Sequence, residues 1–205
     1  MQPHEIEQQS FTIIDKEAGD HGFKPDEWKI VRRMIHTTAD FEYIGMIRIH
    51  PQAIEAGVAA IRRGYAIITD TNMASAGIRK DALEPFGCPV LCFMADPDVG
   101  KEALSRGVTR AHVSVEKAVP LIRDGIYVVG NAPTALLHLL EIIREGIARP
   151  ALVVGLPVGF VNAAESKAAL VQTDIPYITN QGRKGGSNVA ASVINALTLL
   201  ARERT

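Results

Sequence analysis

Gly125-Ile126-Tyr127-Val128-Val129-Gly130-Asn131-Ala132-Pro133-Thr134 is the stretch that decides the fold. Its first half is a short run that is apolar on both faces, so both faces need cover. Gly130 and Asn131 make a free turn, with Asn131 placed to cap the next helix, and Pro133 suits a first helical turn. The segment Thr134 to Glu145 that follows is a largely apolar helix. The same grammar recurs along the chain. Tyr65 to Thr69 ends in Asp70-Thr71-Asn72, and Pro89 to Phe93 ends at Asp96-Pro97-Asp98. Ala151 to Val154 runs into Gly155-Leu156-Pro157-Val158-Gly159, and Ile175 to Thr179 into Asn180-Gln181-Gly182. Apolar strands alternating with helices predict an α/β fold. The expected architecture is a three-layer, open, mainly parallel doubly wound sheet, flavodoxin-like, with about five strands. Ligands of such sheets sit beyond the strands' carboxyl ends.

Outward from that core, Met1 to Glu17 carries the apolar anchors Ile6, Phe11, Ile13 and Ile14. A turn over residues 20–25 leads to a helix opened by Pro25 and Asp26, with Trp28, Val31, Met34 and Ile35 at helical spacing. Phe41 to Ile49 reads as an irregular segment or a short strand. Pro51 starts a helix that ends at Arg62 or Arg63, before Gly64. No repeat, linker or low-complexity tract appears, so residues 1–205 read as one domain.

Composition narrows the function. The 205 residues are 47% hydrophobic and 22% charged, as in an ordinary globular protein. A net charge of −1 gives no broad field for nucleic acid or an anionic membrane. Cys88 and Cys92 fall on one face of one strand, well separated, and read as buried free thiols in keeping with a reducing cytoplasm. No leader and no run of membrane-spanning length is seen.

The densest chemistry lies in Arg32-Arg33-Met34-Ile35-His36-Thr37-Thr38. On a helix, Arg32 and His36 share a face, as do Arg33 and His36. Guanidinium forks match carboxylates, and an imidazole can give and take a proton near neutral pH. Alone, the heptapeptide also reads as a solvated helix face with a half-buried histidine. Gly182-Arg183-Lys184-Gly185-Gly186-Ser187-Asn188 reads as a generic anion cradle at a helix start, or as a tight turn with solvated basic residues. Thr71 to Ile78 is rich in small residues, which suits a flat ligand or a close helix contact. Thr109-Arg110 is a further basic loop candidate. Glu165 and Lys167 read as capping and surface charge, and His138 as a packed or interface histidine, not a ligand.

Several classes drop out. There is no Gly-x-Ser-x-Gly elbow, no HExxH or Cys/His cluster for a metal, and no dinucleotide fingerprint. What remains fits acid–base chemistry on a polycarboxylate, without a bound cofactor or metal.

The blocks together resemble the precorrin-8X methylmutase (cobalt-precorrin-8 methylmutase) family over nearly the whole chain. The resemblance rests on Ser10-Phe11 with Ile13-Ile14, Arg33 to His36, Thr69 to Met73, and Thr109-Arg110. It rests most firmly on Gly130 to Leu136, on Pro157 to Val161 with Ala164 to Lys167, and on Gly182-Arg183 with Gly185-Gly186-Ser187. It implies a flavodoxin-like isomerase, usually a homodimer. The reaction would be an intramolecular methyl migration at ring C of a tetrapyrrole polycarboxylate, giving the corrinoid product, cobyrinate or hydrogenobyrinate. His36 falls on the family's catalytic histidine, and Ser10 and Arg33 on substrate-contacting positions. The resemblance extends substrate contact to Gly77 and Arg110. The alternatives are a non-catalytic corrinoid carrier of the same fold and a phosphate- or nucleotide-binding flavodoxin-like protein using Gly185-Gly186-Ser187.

Overall fold

A computed structural model of the chain describes residues 3–204. Helices α1 (Pro3–Ala18), α2 (Pro25–Thr38) and the single-turn α3 (Tyr43–Met46) precede strand β1 (Ile47–Ile49) and α4 (Ala53–Arg62). Then come β2 (Ile67–Thr69), α5 (Asn72–Gly77), α6 (Lys80–Leu83), β3 (Val90–Leu91), α7 (Pro97–Arg106) and α8 (Arg110–Ala118). The chain closes with β4 (Ile126–Val129), α9 (Pro133–Arg144), β5 (Leu152–Gly155), α10 (Ala163–Val171), β6 (Tyr177–Asn180) and α11 (Ser187–Glu203).

The strands lie in the order β1-β6-β5-β4-β2-β3. The five from β2 to β6 are mutually parallel and have the flavodoxin-like order, with the switch point between β2 and β4. The sixth, β1, comes from the ambiguous stretch Phe41 to Ile49 and runs antiparallel along β6.

Successive residues of β4 serve opposite faces, as a pleat requires. Ile126 and Val128 join the core with residues of α2, α4 and α11, whereas Tyr127 and Val129 join the core beneath α8, α9 and α10. All four are buried, which is why this run carries no polar alternation. The thiol of Cys88 is buried and donates to the Tyr65 carbonyl, and burial pushes its pKa up to about 11. Cys92 is half-buried and is also free.

Two contacts orient the amino-terminal helices. Lys29 pairs with Glu203 at 2.5 Å and Arg204 with Asp26 at 2.6 Å, so α2 runs antiparallel to α11. The start of α11 follows the carboxyl end of β6. The last turn of α2, with His36, therefore reaches the ligand-binding rim of the sheet.

Candidate active site

Three loops shape that rim. The loop after β4 is fixed by Asp70, which ends β2 and is 1% exposed. Its carboxylate accepts N–H bonds from Gly130 (2.9 Å), Asn131 (2.8 Å) and Ala132 (2.8 Å). The expected cap Asn131 does not act through its side chain; Ala132 holds the cap position and a carboxylate 60 residues earlier in the chain does the capping. Burial raises the pKa of Asp70, opposed by the three N–H groups that favour its charge. Mononucleotide-binding sheets seat a phosphate at such helix starts. Here the donors are already taken by the protein's own carboxylate.

The loops after β5 and β6 are laced together. Gly186 N–H donates to the Leu156 carbonyl, and Gly159 N–H to the Arg183 carbonyl. Gly185 has φ +155°, and a Cβ there would stand 2.2 Å from the Leu156 carbonyl oxygen, so only glycine fits. Gly130 is equally confined, since its Cβ would lie 2.6 Å from the Cα of Ser187.

Lys167 differs from its expected role. It is not a surface charge: it is 1% exposed and donates to the Lys184 carbonyl (2.5 Å) and to Asn180 Oδ1 (3.3 Å). Its ammonium pins the turn that precedes α11. Burial pushes its pKa down to about 8, from 10.5. Between those values the unfolded chain holds a proton that the folded chain has lost, so Lys167's share of stability rises with pH across that window. Urea midpoints of wild type and Lys167→Met at pH 7.5 and pH 10 check this. The gap is expected to move in favour of wild type at the higher pH, and a gap independent of pH refutes it.

Lys184 turns outward, to Asp40 (2.5 Å) and Glu42 (2.8 Å), which follow α2. Those carboxylates, Asp40 first, push its ammonium pKa well up. This pairing ties the loop after β6 to the end of α2.

On α2 itself, Glu27 accepts the Lys24 N–H at 3.0 Å and Pro25 opens the helix. Ala39, at φ +52°, ends it. Phe11 of α1 lies across the outer face. The Arg32 guanidinium sits 4.3 Å and the Arg33 guanidinium 5.3 Å from its ring centre, and the His36 ring meets it edge-on at 5.2 Å. Arg32 pairs with Asp15 at 2.8 Å and Arg33 with Glu7 at 2.9 Å. His36 is exposed. Ser10, next to Phe11 on α1, donates its hydroxyl to the Ile6 carbonyl.

The structure thus gathers Phe11, Arg33 and His36, with Ser10 beside them. Gly77 ends α5, where its Cβ would lie 2.9 Å from the Cβ of Ala191, and its carbonyl accepts from Asn195. The small residues of α5 therefore serve a close contact with α11. Arg110 is exposed at the first position of α8, on the opposite side of the sheet. It shares the carboxyl rim, but among the described residues no hydrogen bond or ion pair joins it to the other candidates. Around the rim, Met73 (71% exposed), Phe160 (84%) and Val161 (77%) present apolar side chains to solvent. Arg183 stands 5.6 Å over the Phe160 ring. The cavity beside Arg33 holds only about 80 Å³, far below ligand size. An open, partly apolar rim is the surface available to a large flat ligand.

Comparison with known proteins fits this geometry. The family model described as precorrin-8X methylmutase matches residues 5–200. The chain belongs to the precorrin-8X methylmutase family. Among relatives, it is 46% identical to the cobalt-precorrin-8 methylmutase of Leptospira interrogans serogroup Icterohaemorrhagiae serovar Lai, over 97% of this chain and 94% of that one. It is 40% identical to the precorrin-8X methylmutase of Pseudomonas aeruginosa, over 94% and 93%. The crystal structure of precorrin-8X methylmutase from Thermus thermophilus superposes with a TM-score of 0.92 and 47% identity, covering 98% of this chain and 97% of that one. Family membership thus spans the wound sheet and the helix pair that carries His36.

Proposed function

We propose that this chain is an isomerase of cobalamin biosynthesis that moves a methyl group within (cobalt-)precorrin-8 to give cobyrinate or hydrogenobyrinate. The observation that carries the reading is the exposed imidazole of His36 at the carboxyl rim, sharing the Phe11 ring with two guanidinium groups. The substrate bears acetate and propionate arms, and charge-assisted forks suit them. Its ring has broad apolar faces, which suit Met73, Phe160 and Val161. Ser10, Arg33, Gly77 and Arg110 are proposed as contact positions for the ligand. A second copy of the chain covering the rim, as a homodimer, would enclose a ligand that one chain leaves open.

The chemistry asked of the protein is modest. A proton given by His36 to a ring nitrogen makes the neighbouring carbon electron-poor. The methyl group migrates to it with its bonding pair: one C–C bond breaks and another forms. Loss of a proton then extends the conjugation and regenerates the acid, so no net oxidation occurs. A carrier would need no proton donor. A nucleotide-binding protein would need a vacant anion seat; Asp70 fills the one at the switch point, and in the Gly185-Gly186-Ser187 turn the Gly186 N–H is given to the Leu156 carbonyl.

Incubating the purified protein with precorrin-8 and with its cobalt form tests the assignment. Appearance of the corrin absorption is expected with at least one of them, and absence with both overturns it. Arg33→Ala is expected to weaken product binding about tenfold or more, the value of a charge-assisted hydrogen bond. Its ion pair with Glu7 must open for that role, so affinity equal to wild type would remove Arg33 from the contact set.

A further inference from the structure

Away from the rim, α8 and α9 bring together His112, Glu116 and His138. One ligand atom from each lies within 4.8 Å of the others. His112 and Glu116 are one turn apart on α8, and His138 faces them from α9. His112 Nε2 is 3.2 Å and His138 Nε2 3.3 Å from Glu116 Oε1. A tetrahedral ion bound at 2.0–2.1 Å keeps its ligand atoms roughly 3.3–3.4 Å apart. The two measured edges already have that length.

Two further observations point to a ligand. His138 is only 10% exposed, and its buried Nε2 makes no well-aligned hydrogen bond although Glu116 Oε1 lies 3.3 Å away. A buried ring nitrogen that faces a carboxylate oxygen without a well-formed hydrogen bond costs free energy unless a cation lies between them. On the other side of the same ring, Nδ1 lies 3.1 Å from Glu141 Oε2. A carboxylate behind a histidine fixes the tautomer that leaves Nε2 free to ligate. Glu116 is likewise held from behind by a two-point contact with Arg106.

We propose that His112, Glu116 and His138 form a binding site for a divalent transition-metal ion of the zinc or cobalt(II) class. Two imidazoles and one carboxylate suit borderline ions rather than magnesium or calcium, and leave one position for water. A cleft of about 820 Å³, lined in part by His112, His138 and Glu141, gives the ion access. The two imidazoles are stacked at 3.5 Å, so capture splays them until both lone pairs converge. The bound ion would staple α8 to α9, on the face opposite α2. The sequence hides this set because 26 positions separate its two ends, His112 and His138; His138 reads there as packing.

Calorimetric titration of the full chain with zinc chloride, cobalt(II) chloride and magnesium chloride tests the site. Zinc and cobalt are each expected to bind at one equivalent per chain, cobalt with the strong visible bands of a four-coordinate site, and magnesium not at all. His138→Gln and Glu116→Gln should each weaken zinc binding at least tenfold, and Glu141→Gln by about tenfold through the outer partner. His50→Ala should leave it unchanged. Should His138→Gln not fold, His112→Gln, at a more exposed position, makes the same measurement. No stoichiometric binding, or affinity unaffected by the folded variants of the three ligands, would overturn the proposal.

Discussion

Replacing His36 by alanine is expected to lower turnover by a factor on the order of 10²–10⁴, the usual worth of a positioned general acid. That corresponds to roughly 3–5 kcal/mol of barrier. Binding of the corrinoid product should survive, because the contacts proposed for its carboxylates and ring faces come from other side chains. The fold should survive too. His36 is exposed and its noted contact is the edge-on ring of Phe11, so no core atom is lost. The measurement is a pair: initial rate of corrin appearance, and the product's visible spectrum retained by the mutant after gel filtration. A variant that turns over near the wild-type rate would take His36 out of the chemistry. A variant that neither turns over nor holds product would assign the imidazole to binding instead.

The second large effect concerns stability. Asp70→Ala is expected to strip the acceptor from three backbone N–H groups at a position 1% exposed. Two of these donors, on Gly130 and Ala132, are buried, and each stranded buried donor costs about 1–3 kcal/mol, so a loss on the order of 3 kcal/mol is expected. That is a large part of the roughly 5–15 kcal/mol that holds a typical domain folded. Asp70→Asn keeps the shape and one acceptor but turns an amide NH₂ towards a donor, so it should fall between the two. Urea unfolding midpoints order the three proteins. An Asp70→Ala midpoint within error of wild type would mean that water or a neighbouring carbonyl replaces the carboxylate.

The parts that were legible in the sequence were those where one short segment obeys one rule. β2, β4, β5 and β6 read as strands because they are apolar on both faces, and α2 reads from Pro25 and its spaced apolar residues. His36 was visible for the same reason: it shares a helix with its arginines. What could not be read depends on partners distant in sequence. β1 is three residues long with Arg48 at its centre, and it exists because β6, some 130 positions later, offers an edge. Arg33's pairing with Glu7 needs α1 to lie across α2. Asp70 looks like an ordinary turn residue until the loop after β4 closes on it. Lys167 has the same formula buried as exposed; the small residues around it, Ala163, Ala164 and Ala168, were the only available hint that its helix packs closely.

The sheet's two borders carry a consequence for assembly. One border is β1, of three residues, and the other is β3, of two. Such stubs leave few unpaired backbone groups for another chain to zip onto. Two copies of this protein would therefore join through side-chain surfaces, and not by running one continuous ladder through both.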